Sequence, residues 1–110
     1  MNIALDWDDT FTRDPELWVN FVSDARRRGH TVKIVTFRHP HHTGDIALEL
    51  EQRGIPIPII ATGHNQKRPY CNQALEWFPD VWIDDSPEYI VAEDNYKLGM
   101  LLAKQVIDAE

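Results

Sequence analysis

The sequence alternates between short apolar segments of strand character and longer segments with helical periodicity. The predicted strands are residues 2–6 (NIALD), 31–36 (TVKIVT), 55–60 (IPIPII) and 80–84 (DVWID). The third predicted strand contains two prolines and is therefore expected at an edge of the sheet, because proline donates no hydrogen bond to a neighbouring strand. Strands separated by helices are typical of a parallel sheet with helices on both faces. We therefore predict a three-layer α/β/α, Rossmann-like fold with about four parallel strands.

Helix signals fill the first two segments between these strands. Asp14 is the predicted N-cap of the first helix, Pro15 takes its first position, and Gly29 ends it. Thr43 is the predicted cap of the second helix, which Gly54 ends.

Three further helical segments are predicted in the second half of the chain. The third helix begins at Pro69 and carries one apolar stripe of Cys71, Ala74, Leu75 and Phe78. A helical turn begins at residues 86–88 (SPE), and a last amphipathic helix begins at about Asn95.

Length and composition limit the class of protein. With 110 residues, the chain can form one hydrophobic core, so residues 1–110 are predicted to be a single domain. The net charge of −7 argues against broad, non-specific binding to nucleic acid or anionic membranes. Cys71 is the only cysteine, and no apolar run approaches the roughly 20 residues of a membrane span. We expect a cytoplasmic protein without a signal peptide, because the N-terminus enters the first strand directly.

Polar side chains gather where the predicted strands end. Asp6 ends the first strand, Thr36 the second, and Asp84 with Asp85 the fourth. In open parallel sheets, ligands bind outside the carboxyl ends of the strands. Carboxylates crowded there repel one another unless a cation lies between them, and oxygen ligands of this kind suit Mg²⁺.

Such a cluster can carry out phosphoryl transfer. With Mg²⁺ screening the repulsion, a phosphate can approach the carboxylates, and Asp6 could attack phosphorus as a nucleophile. Asp8, two residues later, could protonate the leaving oxygen and then deprotonate a water.

The order of these residues resembles that of a known family. Residues 6–10 (DWDDT), following an apolar strand, are similar to the first motif of the haloacid dehalogenase superfamily of phosphatases. Thr36 stands where the second motif would be, Lys67 where the third would be, and residues 82–85 (WIDD) resemble the fourth. The resemblance covers residues 3 to about 90. It implies a Mg²⁺-dependent phosphomonoester hydrolase that forms an aspartyl-phosphate.

The resemblance also implies roles for the acidic residues. Asp6 would be both nucleophile and metal ligand, and Asp8 would be the acid/base and bind the metal through its backbone carbonyl. Asp84 would bind the metal directly, and Asp85 directly or through water.

Other residues would contact the substrate. Thr36 would hydrogen-bond the transferring phosphoryl group and Lys67 would neutralise its charge. Trp7 would contribute to substrate binding, and Thr10 would support the turn that follows the first strand. Arg38 stands two residues after Thr36, an arrangement similar to that of some superfamily phosphatases acting on nucleotides or nucleic acid ends. It could grip phosphate with two hydrogen bonds, or it could be an ordinary surface arginine.

Simpler interpretations exist for each motif alone. Residues 8–10 could form a turn, Thr36 could be a strand residue, Lys67 a surface lysine, and Asp84 with Asp85 a helix cap. Receiver domains of two-component systems share these residue types but place the phospho-acceptor after the third strand, where this chain has no aspartate. An inactive Mg²⁺-binding module acting as an interaction protein is the remaining alternative.

The segments between the motifs are short. No stretch is long enough for the cap domain that many superfamily members insert, so we predict a minimal, capless type. Such a protein could act on nucleotides or other small phosphomonoesters, or on nucleic acid terminal phosphates, and an oligomer could supply the missing lid. His39, His41 and His42 suggest a second metal site, but their spacing matches no standard pattern and solvated loop histidines are the simpler interpretation.

Overall fold

Four parallel strands form the sheet of this compact α/β domain, for which a computed structural model describes residues 1–91. They are β1 (Asn2–Leu5), β2 (Thr31–Thr36), β3 (Ile59–Ala61) and β4 (Val81–Ile83). Their order across the sheet is β3-β2-β1-β4. The strand that comes first in the chain therefore lies inside the sheet, between β2 and β4.

Three helices accompany the sheet within residues 1–91. They are α1 (Pro15–Arg27), α2 (Gly44–Gln52) and α3 (Lys67–Pro69), the last continuing as a wider π turn over Tyr70–Ala74. Single 3₁₀ turns lie at Phe11–Arg13, Pro40–His42 and Pro87–Tyr89. Among the residues that the structure describes, no helix is long and apolar enough to cross a membrane. The amphipathic helix predicted from Asn95 lies outside the described residues.

The predicted limits of α1 are confirmed. The Asp14 side chain accepts a hydrogen bond from the backbone N–H of Leu17 at 3.2 Å, as an N-cap does. At the other end, Gly29 has a φ of +87°, a left-handed conformation that glycine adopts without steric cost. Thr43 does precede α2, but its hydroxyl donates to the carbonyl of Pro40 and does not cap the helix.

The third strand begins later than predicted, at Ile59 and not at residue 55. Regular pairing starts only at Ile59, because Pro56 and Pro58 have no N–H to donate to a ladder. β3 does lie at the edge of the described sheet, as the prolines predicted.

The prediction for the third helix is wrong in its limits and its buried face. The helix begins at Lys67, and Pro69 ends its regular part. Among the residues of the predicted stripe, Cys71 is buried, whereas Ala74, Leu75 and Phe78 are exposed. The π turn shifts the angular position of each later side chain, so the spacing of a regular helix does not apply.

Two apolar clusters lie on opposite faces of the sheet. Ile3 and Leu5 of β1 join the first cluster, to which α1 and α2 also contribute, whereas Ala4 joins the second cluster together with Cys71. Successive side chains of a strand point to opposite faces, which accounts for this division. Both faces of the sheet are thus covered by apolar contacts, and the polar site lies at its carboxyl edge.

Candidate active site

Three carboxylates meet at the carboxyl edge of the sheet. Asp6 follows β1, and Asp84 and Asp85 follow β4, which pairs with β1. One carboxylate oxygen from each residue lies within 4.8 Å of the other two. We call these three residues the acidic cluster. The backbone N–H of Asp6 donates to the carbonyl of Ile83 at 2.9 Å, so strand pairing extends to the cluster itself.

A tight turn brings Thr10 back to the acidic cluster. Asp9 has a φ of +62°, a left-handed conformation in which aspartate is one of the more tolerated residues. The Thr10 hydroxyl lies 3.0 Å from Oδ2 of Asp6 and 3.2 Å from Oδ1 of Asp85. It also accepts a hydrogen bond from the backbone N–H of Asp85 at 3.3 Å. Thr10 therefore links the two sides of the site, which agrees with the supporting role predicted for it.

Lys67 lies among the carboxylates. Its side chain is 1% exposed, and Nζ donates to Oδ1 of Asp6 at 2.9 Å and to Oδ2 of Asp84. A buried ammonium of this kind requires charged partners, and it has two. Lys67 is therefore not the solvated surface lysine of the simpler interpretation.

Burial dominates the electrostatics of Asp6. It raises the pKa of Asp6 from 3.8 to about 7, because an ionised carboxylate loses hydration inside the protein. The ammonium of Lys67 acts in the opposite direction and lowers this pKa, while the negative charge of Asp84 raises it. Burial therefore outweighs the contact with Lys67, and the pKa of Asp6 stays above its usual value.

Arg38 lies between two carboxylates. Its Nε and Nη2 donate to the two carboxylate oxygens of Asp8 at 2.9 and 2.7 Å, a bidentate pair. Its Nη1 donates to both oxygens of Asp45, at 2.7 and 3.0 Å, and to the carbonyl of His42 at 3.0 Å. These hydrogen bonds lower the pKa of Asp45. Arg38 is therefore bound on both sides and is not an isolated surface arginine.

Two further predicted site residues are not part of the acidic cluster. The Trp7 side chain is buried in the first apolar cluster and stacks on Phe11, with ring centroids 4.2 Å apart. The Trp7 side chain is therefore part of the core and is not exposed at the site. Thr36 is buried at the end of β2, where its hydroxyl accepts from the backbone N–H of Arg38 at 3.2 Å.

The loop histidines do not form a second metal site. The rings of His39 and His41 stack at 4.8 Å, and His42 meets His39 edge-on at 6.4 Å. Within residues 1–91, the acidic cluster is the one group of three or more potential metal ligands close enough to share an ion.

The contact between Arg38 and Asp45 was not predicted from the sequence. Asp45 lies in the first turn of α2, where an acid is common because it faces the positive end of the helix dipole. Nothing in its spacing indicates that it would meet Arg38, seven residues earlier, since the intervening loop and 3₁₀ turn determine that contact.

The chain matches no protein-family model, no curated protein and no solved structure.

Proposed function

We propose that this domain is a Mg²⁺-dependent phosphomonoester hydrolase that uses Asp6 as its nucleophile. The observation that carries the proposal is the acidic cluster at the carboxyl edge, with the buried ammonium of Lys67 bonded to two of its members. The order of motifs supports the same activity.

We also propose the three-layer α/β/α arrangement for the fold, because apolar clusters cover both faces of the sheet. We propose a cytoplasmic location, because the single cysteine suits a reducing compartment.

The acidic cluster has the donor set of a divalent cation site. Three carboxylates and one ammonium leave an excess of negative charge when all are ionised. The single hydroxyl proton of Thr10 cannot satisfy both Asp6 and Asp85 at once, so acceptor capacity remains. Oxygen ligands of this kind suit Mg²⁺ better than softer metals. Asp6, Asp84 and Asp85 would hold the ion, with the backbone carbonyl of Asp8, and the ion would offset the charge of an incoming phosphate.

Asp6 would form the covalent intermediate. One of its carboxylate oxygens attacks phosphorus, and the ester P–O bond breaks as the new O–P bond forms. Lys67 holds Asp6 in place and neutralises charge on the phosphoryl group during transfer. The backbone at Trp7 and the hydroxyl of Thr36 are the proposed phosphoryl contacts.

Asp8 would handle the protons. It gives a proton to the leaving oxygen and then takes one from the water that attacks the aspartyl-phosphate, which releases inorganic phosphate and restores Asp6. Its side chain is 52% exposed, so it can exchange protons with solvent. Arg38 donates to both oxygens of the ionised Asp8 carboxylate. When Asp8 takes up a proton from solvent, the hydrogen bond to its unprotonated oxygen still fixes the direction of the carboxyl group. Arg38 is thus proposed as a positioning residue for Asp8.

The test is hydrolysis of a generic aryl phosphate by the full chain, with Mg²⁺ and with a chelator. We expect turnover with Mg²⁺ that chelation abolishes, together with a higher Tm in the presence of the ion, because it binds the folded state. Asp6→Asn should abolish turnover and phosphoenzyme formation, and Asp80→Asn, a change of an exposed acid at the opposite edge of the sheet, should not. Hydrolysis that survives chelation, or an active Asp6→Asn variant, would contradict the proposal. A rise in Tm without hydrolysis would instead favour the inactive Mg²⁺-binding module.

A further inference from the structure

Three aromatic rings stack at the same edge of the sheet as the acidic cluster. The ring of Phe37 lies 4.3 Å from that of Tyr89, with 13° between their planes. It lies 5.0 Å from the ring of His64, with 24° between the planes. We call these three residues the aromatic stack.

The aromatic stack is not an extension of the core. None of its members belongs to either apolar cluster, Tyr89 is 42% exposed, and His64 is also exposed. Exposed aromatic rings leave apolar surface in water, so packing alone gives little reason to gather three of them on separate loops. An accessible ring face is suited to a flat ligand.

Each ring comes from a loop that also carries a proposed site residue. Phe37 directly follows Thr36, Tyr89 lies four residues after Asp85, and His64 lies three residues before Lys67. The two loops that carry Phe37 and His64 are joined directly, since the backbone N–H of His64 donates to the carbonyl of Phe37 at 2.9 Å. The aromatic stack therefore borders the place where a phosphate would bind.

We propose that the aromatic stack binds the nucleobase of a mononucleotide whose phosphate is hydrolysed at the acidic cluster. This inference rests on the proposed function and adds the substrate class. Every nucleobase has a π face that can stack on an aromatic ring without sequence-specific hydrogen bonds. The net charge of −7 favours a mononucleotide over a long polyanion.

The experiment compares two substrates that differ only in the base. Adenosine 5′-monophosphate and ribose 5-phosphate share the phosphate ester and the sugar, so the ratio of their kcat/KM values measures what the base adds. Stacking on one aromatic ring corresponds to a ratio of about 5 to 150 in favour of the nucleotide. Calorimetric titration with both compounds in the absence of Mg²⁺ gives the same comparison without turnover.

Ring-removing variants test the location. Tyr89→Leu and His64→Leu each remove one outer ring and keep apolar bulk, and at least one of them should reduce the ratio about fivefold or more. Tyr89→Phe keeps the ring and should keep the ratio. Phe78→Leu is the matched control, because Phe78 is 59% exposed and its backbone contacts Asn2 at the opposite edge of the sheet.

Each outcome has one meaning. Equal kcat/KM values and equal affinities for the two compounds would overturn the inference, as would a ratio that neither ring variant changes. A 5′-phosphorylated oligonucleotide that is hydrolysed faster than the mononucleotide, with the same sensitivity to the ring variants, would keep the stacking site and overturn the mononucleotide. Failure to hydrolyse any phosphomonoester would refute the proposed function, while the base-dependent difference in affinity would still test the aromatic stack.

Discussion

Replacement of Lys67 by methionine should strongly destabilise the domain when no divalent cation is present. Methionine keeps most of the buried hydrocarbon stem but removes the ammonium that bonds Asp6 and Asp84. The side chains of Lys67, Asp6 and Asp84 are only 1%, 9% and 2% exposed, so water cannot replace the lost hydrogen bonds. Removing one partner of a buried ion pair costs about 3–5 kcal/mol.

That loss is large for a domain of this size. The free energy of unfolding of a natural domain is about 5–15 kcal/mol, so the variant should lose at least about a fifth of it. The expected fall in Tm is about 10–30 °C. Thermal unfolding followed by circular dichroism in chelator at pH 8 measures it. Lys33→Met is the matched control: it removes the same charge from a half-buried lysine that packs over Trp77, and should cost about 1 kcal/mol or less.

The pH dependence of Lys67→Met gives an independent check. Asp6 already has a pKa raised to about 7 in the folded protein, and loss of the ammonium removes the contact that lowers it. The folded variant then binds more protons than the unfolded chain, so its stability should rise as the pH falls from about 8 toward 5. Mg²⁺ should also restore part of the Tm. The reasoning would be refuted if, at pH 8 in chelator, the free energy of unfolding of Lys67→Met lay within about 1 kcal/mol of that of Lys33→Met.

Three further predictions concern separate parts of the site and core. Asp8→Asn should slow the hydrolysis of an alkyl phosphate by about 10²–10⁴-fold, and near-normal turnover would remove its proton-transfer role. Asp45→Asn removes a charged partner of Arg38, so kcat/KM for an alkyl phosphate should fall about 5-fold. For an activated aryl phosphate, whose leaving group needs no proton, kcat/KM should change less than about twofold. Equal losses of kcat/KM on both substrates would show that Arg38 contacts the phosphate itself. Burial raises the pKa of the Cys71 thiol to about 11, so labelling by a thiol reagent at pH 8 should be slow in the folded protein and fast after denaturation, and rapid labelling of the folded chain would contradict this.

The presence and order of the strands followed from the sequence because their signals are local, although β3 begins at Ile59 and not at residue 55 as predicted. The β-branched residues of TVKIVT predicted β2 with the bounds that the structure has, and the prolines of IPIPII predicted the edge position of β3. The third helix was mispredicted because its geometry depends on tertiary contacts. Lys67 begins that helix while its ammonium is held by two carboxylates, and the π turn after Pro69 cannot be read from apolar spacing.

The meeting of the three carboxylates was predictable from the sequence, whereas the contacts of Trp7 and Arg38 were not. Parallel strands bring their carboxyl ends to one edge, so the meeting of Asp6 with Asp84 and Asp85 followed from topology alone. The burial of Trp7 did not, since a residue between two acids gives no sign of the face to which its side chain turns. The Arg38–Asp45 contact depends on a loop conformation, for which a single sequence carries little information.

The interior position of β1 has a consequence for the order in which the site is assembled during synthesis. Asp6 leaves the ribosome early, but Lys67 follows 61 residues later, and the pairing of Thr10 with Asp85 spans 75 residues. One edge of β1 therefore stays without a partner until β4 has been made, and an unpaired strand edge is a point at which chains can associate wrongly. Contacts so distant in sequence also slow folding, because a long loop must close before they form. In a chain leaving the ribosome, the acidic cluster can therefore be completed only after β4 and the two aspartates that follow it have been made.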